Sequence, residues 1–135
     1  MKAYLLSLLV LLAIATGCSD DPKPDAQVVG VWQLTEILAD PGDGSGTFQP
    51  TSIDKTVTFF DDATVATTQS FCAYGADDFA SGVARYSEAE GTIEPDCPAV
   101  PGLLLPYFMA GDELVISYLC IEPCAEKYRK VRFLD

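Results

Sequence analysis

From residue 28 onward, the sequence consists of short runs rich in β-branched and aromatic residues, separated by clusters of Gly, Pro, Asp and Ser. Such runs favour strands, and their regular spacing indicates an antiparallel all-β meander, either a barrel or a sandwich. A closed barrel is preferred because it leaves no strand edge open to aggregation. The sequence therefore predicts an up-and-down barrel of about eight strands. They are expected over residues 28–38, 56–60, 64–69, 81–86, 90–94, 103–109, 113–119 and 126–134.

The N-terminal segment has the pattern of an export signal. Lys2 precedes an apolar run over residues 5–14, which is too short to span a bilayer and fits the core of a secretory signal. The run ends in Ala15-Thr16-Gly17-Cys18, and polar residues with two prolines follow over 19–26. An ordinary signal peptide with an incidental cysteine is the alternative interpretation.

Small residues directly before Cys18 resemble the signal of bacterial lipoproteins. The resemblance implies cleavage before Cys18, acylation of this residue by chains such as palmitate, and attachment to a membrane. Several acyl chains bury enough methylenes to hold a folded domain on a bilayer. Ser19 resembles the outer-membrane sorting pattern, with the domain on the periplasmic face or the cell surface. The expected organisation is a signal peptide over 1–17, a lipidated cysteine and flexible tether over 18–27, and a barrel domain over 28–135.

Charge and composition exclude several classes of function. The chain has 8 Lys and Arg against 20 Asp and Glu, a formal charge of −12, and no histidine. An acidic surface repels phosphate backbones, so we expect no nucleic-acid partner. The missing histidine removes Ser-His and Cys-His catalysis and His-ligated zinc. We predict that the protein is not an enzyme, needs no cofactor and is a monomer.

Four cysteines follow Cys18, and an exported chain keeps such residues in an oxidising compartment. Of the three pairings that four cysteines allow, we favour Cys72–Cys97 and Cys120–Cys124. The second bond closes a short turn between two predicted strands. A redox pair and a four-thiolate zinc site are the alternatives, but the spacings fit neither well.

Gly30-Val31-Trp32 in the first predicted strand resembles the Gly-x-Trp signature of lipocalins and the wider calycin group. In that family the tryptophan closes one end of the barrel, and an arginine near the end of the last strand packs across it. The resemblance implies this role for Trp32, with Arg129 as the first candidate partner and Arg132 as the second. We also expect Trp32, Leu34 and Leu38 to share one face of the strand.

The predicted strands also contain aromatic residues that could point into the barrel. A barrel of eight strands is either filled by side chains or holds one small ligand. The leading hypothesis is a small hydrophobic ligand, and the alternative is a filled barrel that docks another envelope component. The candidate ligand-binding residues are Phe59, Tyr86, Phe108 and Tyr118.

Other charged segments have structural interpretations. Acidic pairs such as Asp61-Asp62 and Asp77-Asp78 are expected to be solvated turn residues rather than acid–base pairs. Residues 40–48 resemble part of a calcium loop, but a glycine-rich loop at the barrel mouth is favoured, and no metal is predicted. The basic stretch over 127–132 is interpreted as a solvated strand end, with an anion or partner site as the alternative.

Overall fold

The computed structural model describes residues 28–75 and 81–134, which form a closed antiparallel barrel of eight strands with one extra strand, β2. The predicted all-β barrel is thus confirmed. No helix within the described residues is long and apolar enough to cross a membrane. The predicted signal peptide, Cys18, the predicted tether and Asp77-Asp78 lie outside the described residues. The strands are β1 (Gly30–Ala39), β2 (Gln49–Pro50), β3 (Thr56–Phe59), β4 (Thr64–Thr67), β5 (Gly82–Ser87), β6 (Thr92–Glu94), β7 (Leu105–Ala110), β8 (Glu113–Ser117) and β9 (Cys124–Arg132).

The wall follows chain order, and each strand pairs with the next around the barrel. β1 pairs with β3 on one side and with β9 on the other, and the pairing with β9 closes the wall. β2 lies beside the second half of β1, where Glu36 pairs with Pro50. Sequence reasoning did not anticipate β2, since two residues after a glycine-rich loop give no alternating pattern.

Strand β3 shows how the alternation of side chains builds the interior. Val57 and Phe59 are completely buried, whereas Thr56 and Thr58 lie on the outer face. Successive side chains of a strand point to opposite faces, so apolar residues two positions apart share the interior.

A bulge in β1 changes which residues face inward. Leu34 pairs with Tyr128 and Glu36 with Lys127, so Thr35 is an extra residue in this strand. An extra residue reverses the alternation beyond it. Trp32 and Leu34 are therefore buried as predicted, but Ile37 rather than Leu38 packs against the core.

The two ends of the barrel differ. The start of β1, the end of β9 and the tight turns around residues 60–63, 88–91 and 111–112 lie at one end, here called the Trp32 end. The described parts of the longer connections, over 40–55, 68–75, 95–104 and 118–123, lie at the other end, here called the loop end. Both disulfides, Cys72–Cys97 and Cys120–Cys124, belong to the loop end and confirm the favoured pairing.

Candidate functional site

Trp32 closes its end of the barrel. The indole is 1% exposed, and its Nε1 donates a hydrogen bond to the carbonyl oxygen of Val28 at 2.7 Å. Lys130 places its Nζ 4.7 Å from the centre of the tryptophan ring and donates to the carbonyl oxygen of Val29 at 3.0 Å. Burial lowers the pKa of Lys130. A cation over an indole face is attracted by the negative face of the ring.

Gly30 makes room for this lysine. Its φ of +144° lies in a region that side chains rarely adopt, and an added Cβ would stand 2.7 Å from the carbonyl oxygen of Arg132. The Lys130 side chain also passes within 3.3 Å of that position. The glycine of Gly-x-Trp thus permits both the tight approach of β9 and the path of the lysine to the ring.

The predicted packing of Arg129 on Trp32 is wrong. Arg129 lies on the outer wall with its side chain 69% exposed and faces Glu113 at 3.8 Å. The prediction assumed that the apolar residues Val131 and Phe133 point inward with Arg129, but both are exposed. Glu126, Tyr128 and Lys130 lie on the inward face of β9 instead, so Lys130 takes the position over the ring.

A groove of about 540 Å³ opens at the Trp32 end. Its apolar surface comes from Trp32, Met109 and Phe133. Lys130 Nζ also lies 4.8 Å from the centre of the Phe133 ring. Arg129 and Asp112 border the groove with opposite charges. The groove thus combines apolar lining residues with two cations, Arg129 and Lys130, and one anion, Asp112.

The described part of the lumen is filled by aromatic side chains. Phe59 contacts Tyr86 edge-on at 4.9 Å between ring centres and Tyr107 at 5.3 Å. The Tyr86 hydroxyl donates to the carbonyl oxygen of Phe60 at 2.6 Å. Two of the four candidate ligand residues, Phe59 and Tyr86, are thus packed against each other. Phe108, a third, is exposed on the outer wall.

A buried ion pair occupies the lumen toward the loop end. Lys55 Nζ lies 2.9 Å and 3.1 Å from the two carboxylate oxygens of Glu126, and both side chains are 1% exposed. The lysine also donates to Tyr118 Oη at 2.9 Å and to the carbonyl oxygen of Ser70 at 3.1 Å. A buried charge is costly unless it is paired and hydrogen-bonded, and both conditions hold here.

Two tyrosines complete this cluster. Tyr118 donates to Glu126 Oε2 at 2.6 Å, and Tyr128 donates to the same oxygen. Burial, strengthened by the neighbouring carboxylate, raises the pKa of both phenols well above the ordinary value, so they remain donors at neutral pH. Tyr118, the fourth candidate ligand residue, is therefore a polar partner. Sequence reasoning missed Lys55 and Glu126, although the inward parity of Glu126 with Tyr128 was an available signal.

A small cavity of about 70 Å³ lies between the connections of the loop end. Phe71 and Tyr74, from the segment after β4, form one side, and Leu103 and Leu119 belong to the other side. The Cys72–Cys97 bond ties that segment to the connection after β6. The bond thus holds Phe71 and Tyr74 beside the connection after β6.

The acidic loop after β1 uses its carboxylates internally. Asp40 Oδ1 accepts hydrogen bonds from the amides of Gly42 at 2.7 Å and Gly44 at 3.1 Å, and Oδ2 accepts one from Gly46 at 2.8 Å. These bonds lower the pKa of Asp40. Within residues 28–75 and 81–134, no group of three or more acidic or cysteine side chains is placed to hold a metal ion.

The observed barrel is compatible with a calycin-like fold, since eight antiparallel strands follow chain order and an indole lies at one end. Comparison of the chain with protein-family models, curated proteins and solved structures found no match.

Proposed function

We propose that this chain is an outer-membrane lipoprotein, anchored through acylated Cys18, whose barrel has no enzymatic role and docks another envelope component. The small residues before Cys18 support the anchor. The single observation that supports docking over storage of a ligand is the filled lumen, where the Phe59–Tyr86–Tyr107 contacts and the Lys55–Glu126 pair occupy the space.

The loop end is the surface best suited to a protein partner. Leu119 is 75% exposed, and Val100 and Ile121 are exposed nearby in the connections of the same end. The two disulfides hold these connections in place. Loops that are already ordered lose less conformational entropy on binding, so apolar residues on them favour association with an apolar face of another protein.

The second candidate is a small hydrophobic ligand at the loop end, favoured by the apolar cavity beside Tyr118. Its volume of about 70 Å³ is below the roughly 300–1,000 Å³ of ordinary ligand pockets. A ligand that fills an ordinary pocket would therefore require the segment around Phe71 and Tyr74 to move outward.

Native mass spectrometry of the protein, gently extracted from its own membrane, tests this proposal. We expect an acylated chain that begins at Cys18, together with a stoichiometric protein adduct that disappears in Leu119→Ser. Val83→Ser is the matched control because Val83 is similarly exposed on β5, and it should keep the adduct. A Cys18→Ser variant should lose the acyl mass. A stoichiometric small molecule without a protein adduct would favour the second candidate.

A further inference from the structure

We propose that the Trp32 end lies on the bilayer and that its groove receives a zwitterionic phospholipid headgroup, with phosphate toward Arg129 and the ammonium group toward Asp112. This inference rests on the proposed anchoring through Cys18. It orients the barrel with its Trp32 end toward the membrane. It also assigns a ligand chemistry to the groove at that end, whereas the docking function uses the loop end.

The exposed end of β9 has the composition of a membrane-interface segment. Four of the eight cationic residues of the chain lie within 127–132. Arg129 and Arg132 are exposed, and the apolar side chains Val131 and Phe133 are exposed between and beyond them. Cationic groups bind lipid phosphates, and aromatic side chains favour the interface between headgroups and acyl chains.

The attachment point of the tether lies at this same end. Val28 and Val29, where the described chain begins, accept hydrogen bonds from Trp32 and Lys130 through their carbonyl oxygens. Cys18 precedes Val28 by ten residues, which span at most about 35 Å when fully extended. An acylated Cys18 therefore limits the distance between the start of β1 and the bilayer surface to about 35 Å and allows the Trp32 end to reach that surface.

The positions of the acidic turns at the Trp32 end indicate which side of the barrel faces the bilayer. Asp61 and Asp62 lie in the turn between β3 and β4, and Glu88 and Glu90 lie in the turn between β5 and β6. The strand order places the second turn on the side of the barrel opposite β9. The β9 side can therefore contact the bilayer while Glu88 and Glu90 stay away from it.

Charge also selects the kind of headgroup. The chain carries a formal charge of −12, so a strongly anionic bilayer repels it as a whole. Arg129 and Lys130 provide two positive charges at the groove, and Asp112 provides one negative charge beside them. A headgroup that contains both a phosphate and an ammonium group matches these charges, whereas a headgroup with phosphate alone leaves Asp112 facing a like charge.

Fluorescence of the only tryptophan provides a site-specific test. The lipidated full chain is reconstituted into vesicles of phosphatidylethanolamine and phosphatidylcholine that contain a headgroup-spin-labelled lipid, which quenches nearby indoles. We expect quenching of Trp32 and a weaker effect when phosphatidylglycerol replaces phosphatidylethanolamine. Asp112→Asn should reduce this difference between the two lipid compositions.

Charge variants separate specific docking from general proximity. Each of Arg129→Gln and Arg132→Gln should lower the ratio of docked to undocked protein about two- to fivefold, as expected for an exposed ion pair. Arg85→Gln is the matched control, because Arg85 is an exposed arginine on β5, and it should leave quenching unchanged. Because all three arginines are exposed, we expect their replacement to leave the fold intact. Trp32 emission that is unchanged in the absence of vesicles will verify this.

The outcomes distinguish the two proposals. Protein that does not sediment with vesicles would contradict the anchoring, and the membrane orientation would be lost with it. Protein that sediments but shows no quenching of Trp32 would overturn the orientation while the anchoring stands. Equal effects of Arg85→Gln and Arg129→Gln, or stronger quenching with phosphatidylglycerol, would overturn the proposed headgroup site.

Discussion

At the scale of single residues, three residues determine how the Trp32 end of the barrel closes. Gly30 lets β9 approach, Trp32 fills the end, and Lys130 covers the ring. The Gly-x-Trp pattern predicted the glycine and the indole. It did not identify the cation, because the exposed apolar residues Val131 and Phe133 resemble core residues in the sequence.

Replacement of Gly30 by alanine should destabilise the fold by about 2–3 kcal/mol, because the added Cβ meets the Arg132 carbonyl oxygen in a strained conformation. Urea unfolding followed by Trp32 fluorescence measures the change. Gly44→Ala is the control, since Gly44 also has a positive φ of +76° but no atom within 4 Å of an added Cβ. We expect about 1 kcal/mol there. Equal losses would contradict the role of close approach at Gly30.

At the scale of strands and loops, alternation and turn residues predicted most of the wall. The bounds of β3, β4 and β8 lie close to the predicted ones, because threonine, valine and aromatic residues alternate between clear turns. The β1 bulge at Thr35 was not predictable, since nothing local marks an extra residue that the pairing with β9 defines. The inward face of the second half of β1 was assigned incorrectly because of this bulge. The inward face of β9 was assigned incorrectly because Val131 and Phe133, which are apolar, are exposed.

The two disulfides should stabilise the barrel unequally. In the chain-entropy model a bond stabilises more when it closes a longer loop, and the sequence separations are 25 for Cys72–Cys97 and 4 for Cys120–Cys124. Replacement of both members by serine should cost about 3–4 kcal/mol for the first pair and about 2 kcal/mol for the second. Thermal unfolding of the two variants measures the difference. A larger loss for the second pair would contradict this prediction.

The loop after β1 should contribute to stability in a pH-dependent way. Hydrogen bonds from Gly46, Gly42 and Gly44 lower the pKa of Asp40 in the folded protein. A lowered pKa means that this contribution is fully present above the unfolded pKa near 4 and is lost as pH falls through the folded pKa. The stability difference between the wild type and Asp40→Asn should therefore shrink on acidification, as measured by urea midpoints. A difference that stays constant would contradict this role.

At the scale of the whole molecule, one buried cluster joins distant parts of the chain. Lys55 precedes β3, Tyr118 follows β8, and Glu126 and Tyr128 belong to β9. Their contacts connect the start of β3 with β8 and β9 across the inner face of β1. The sequence predicted a lumen lined by aromatics, but the ion pair was missed because charged residues in strands usually face solvent, and the shared parity of Glu126 and Tyr128 was its one local signal.

Glu126→Gln should destabilise the protein by about 3–5 kcal/mol, because it leaves the charge of Lys55 buried without a counterion. Equilibrium unfolding of this variant measures the loss. The double variant Lys55→Met with Glu126→Gln removes both charges and should recover part of it. Additive losses from the two substitutions would show that the two side chains do not act as a pair.

The β1–β9 pairing joins the first strand of the barrel to its last one. Contacts between segments so far apart in sequence form late in folding, after the loop-closure entropy of nearly the entire domain is lost. During synthesis, the barrel cannot close until residues 124–132, which form β9, have left the ribosome. The barrel therefore cannot close while the chain is being made, and an unclosed chain is compatible with the export that we propose for this protein.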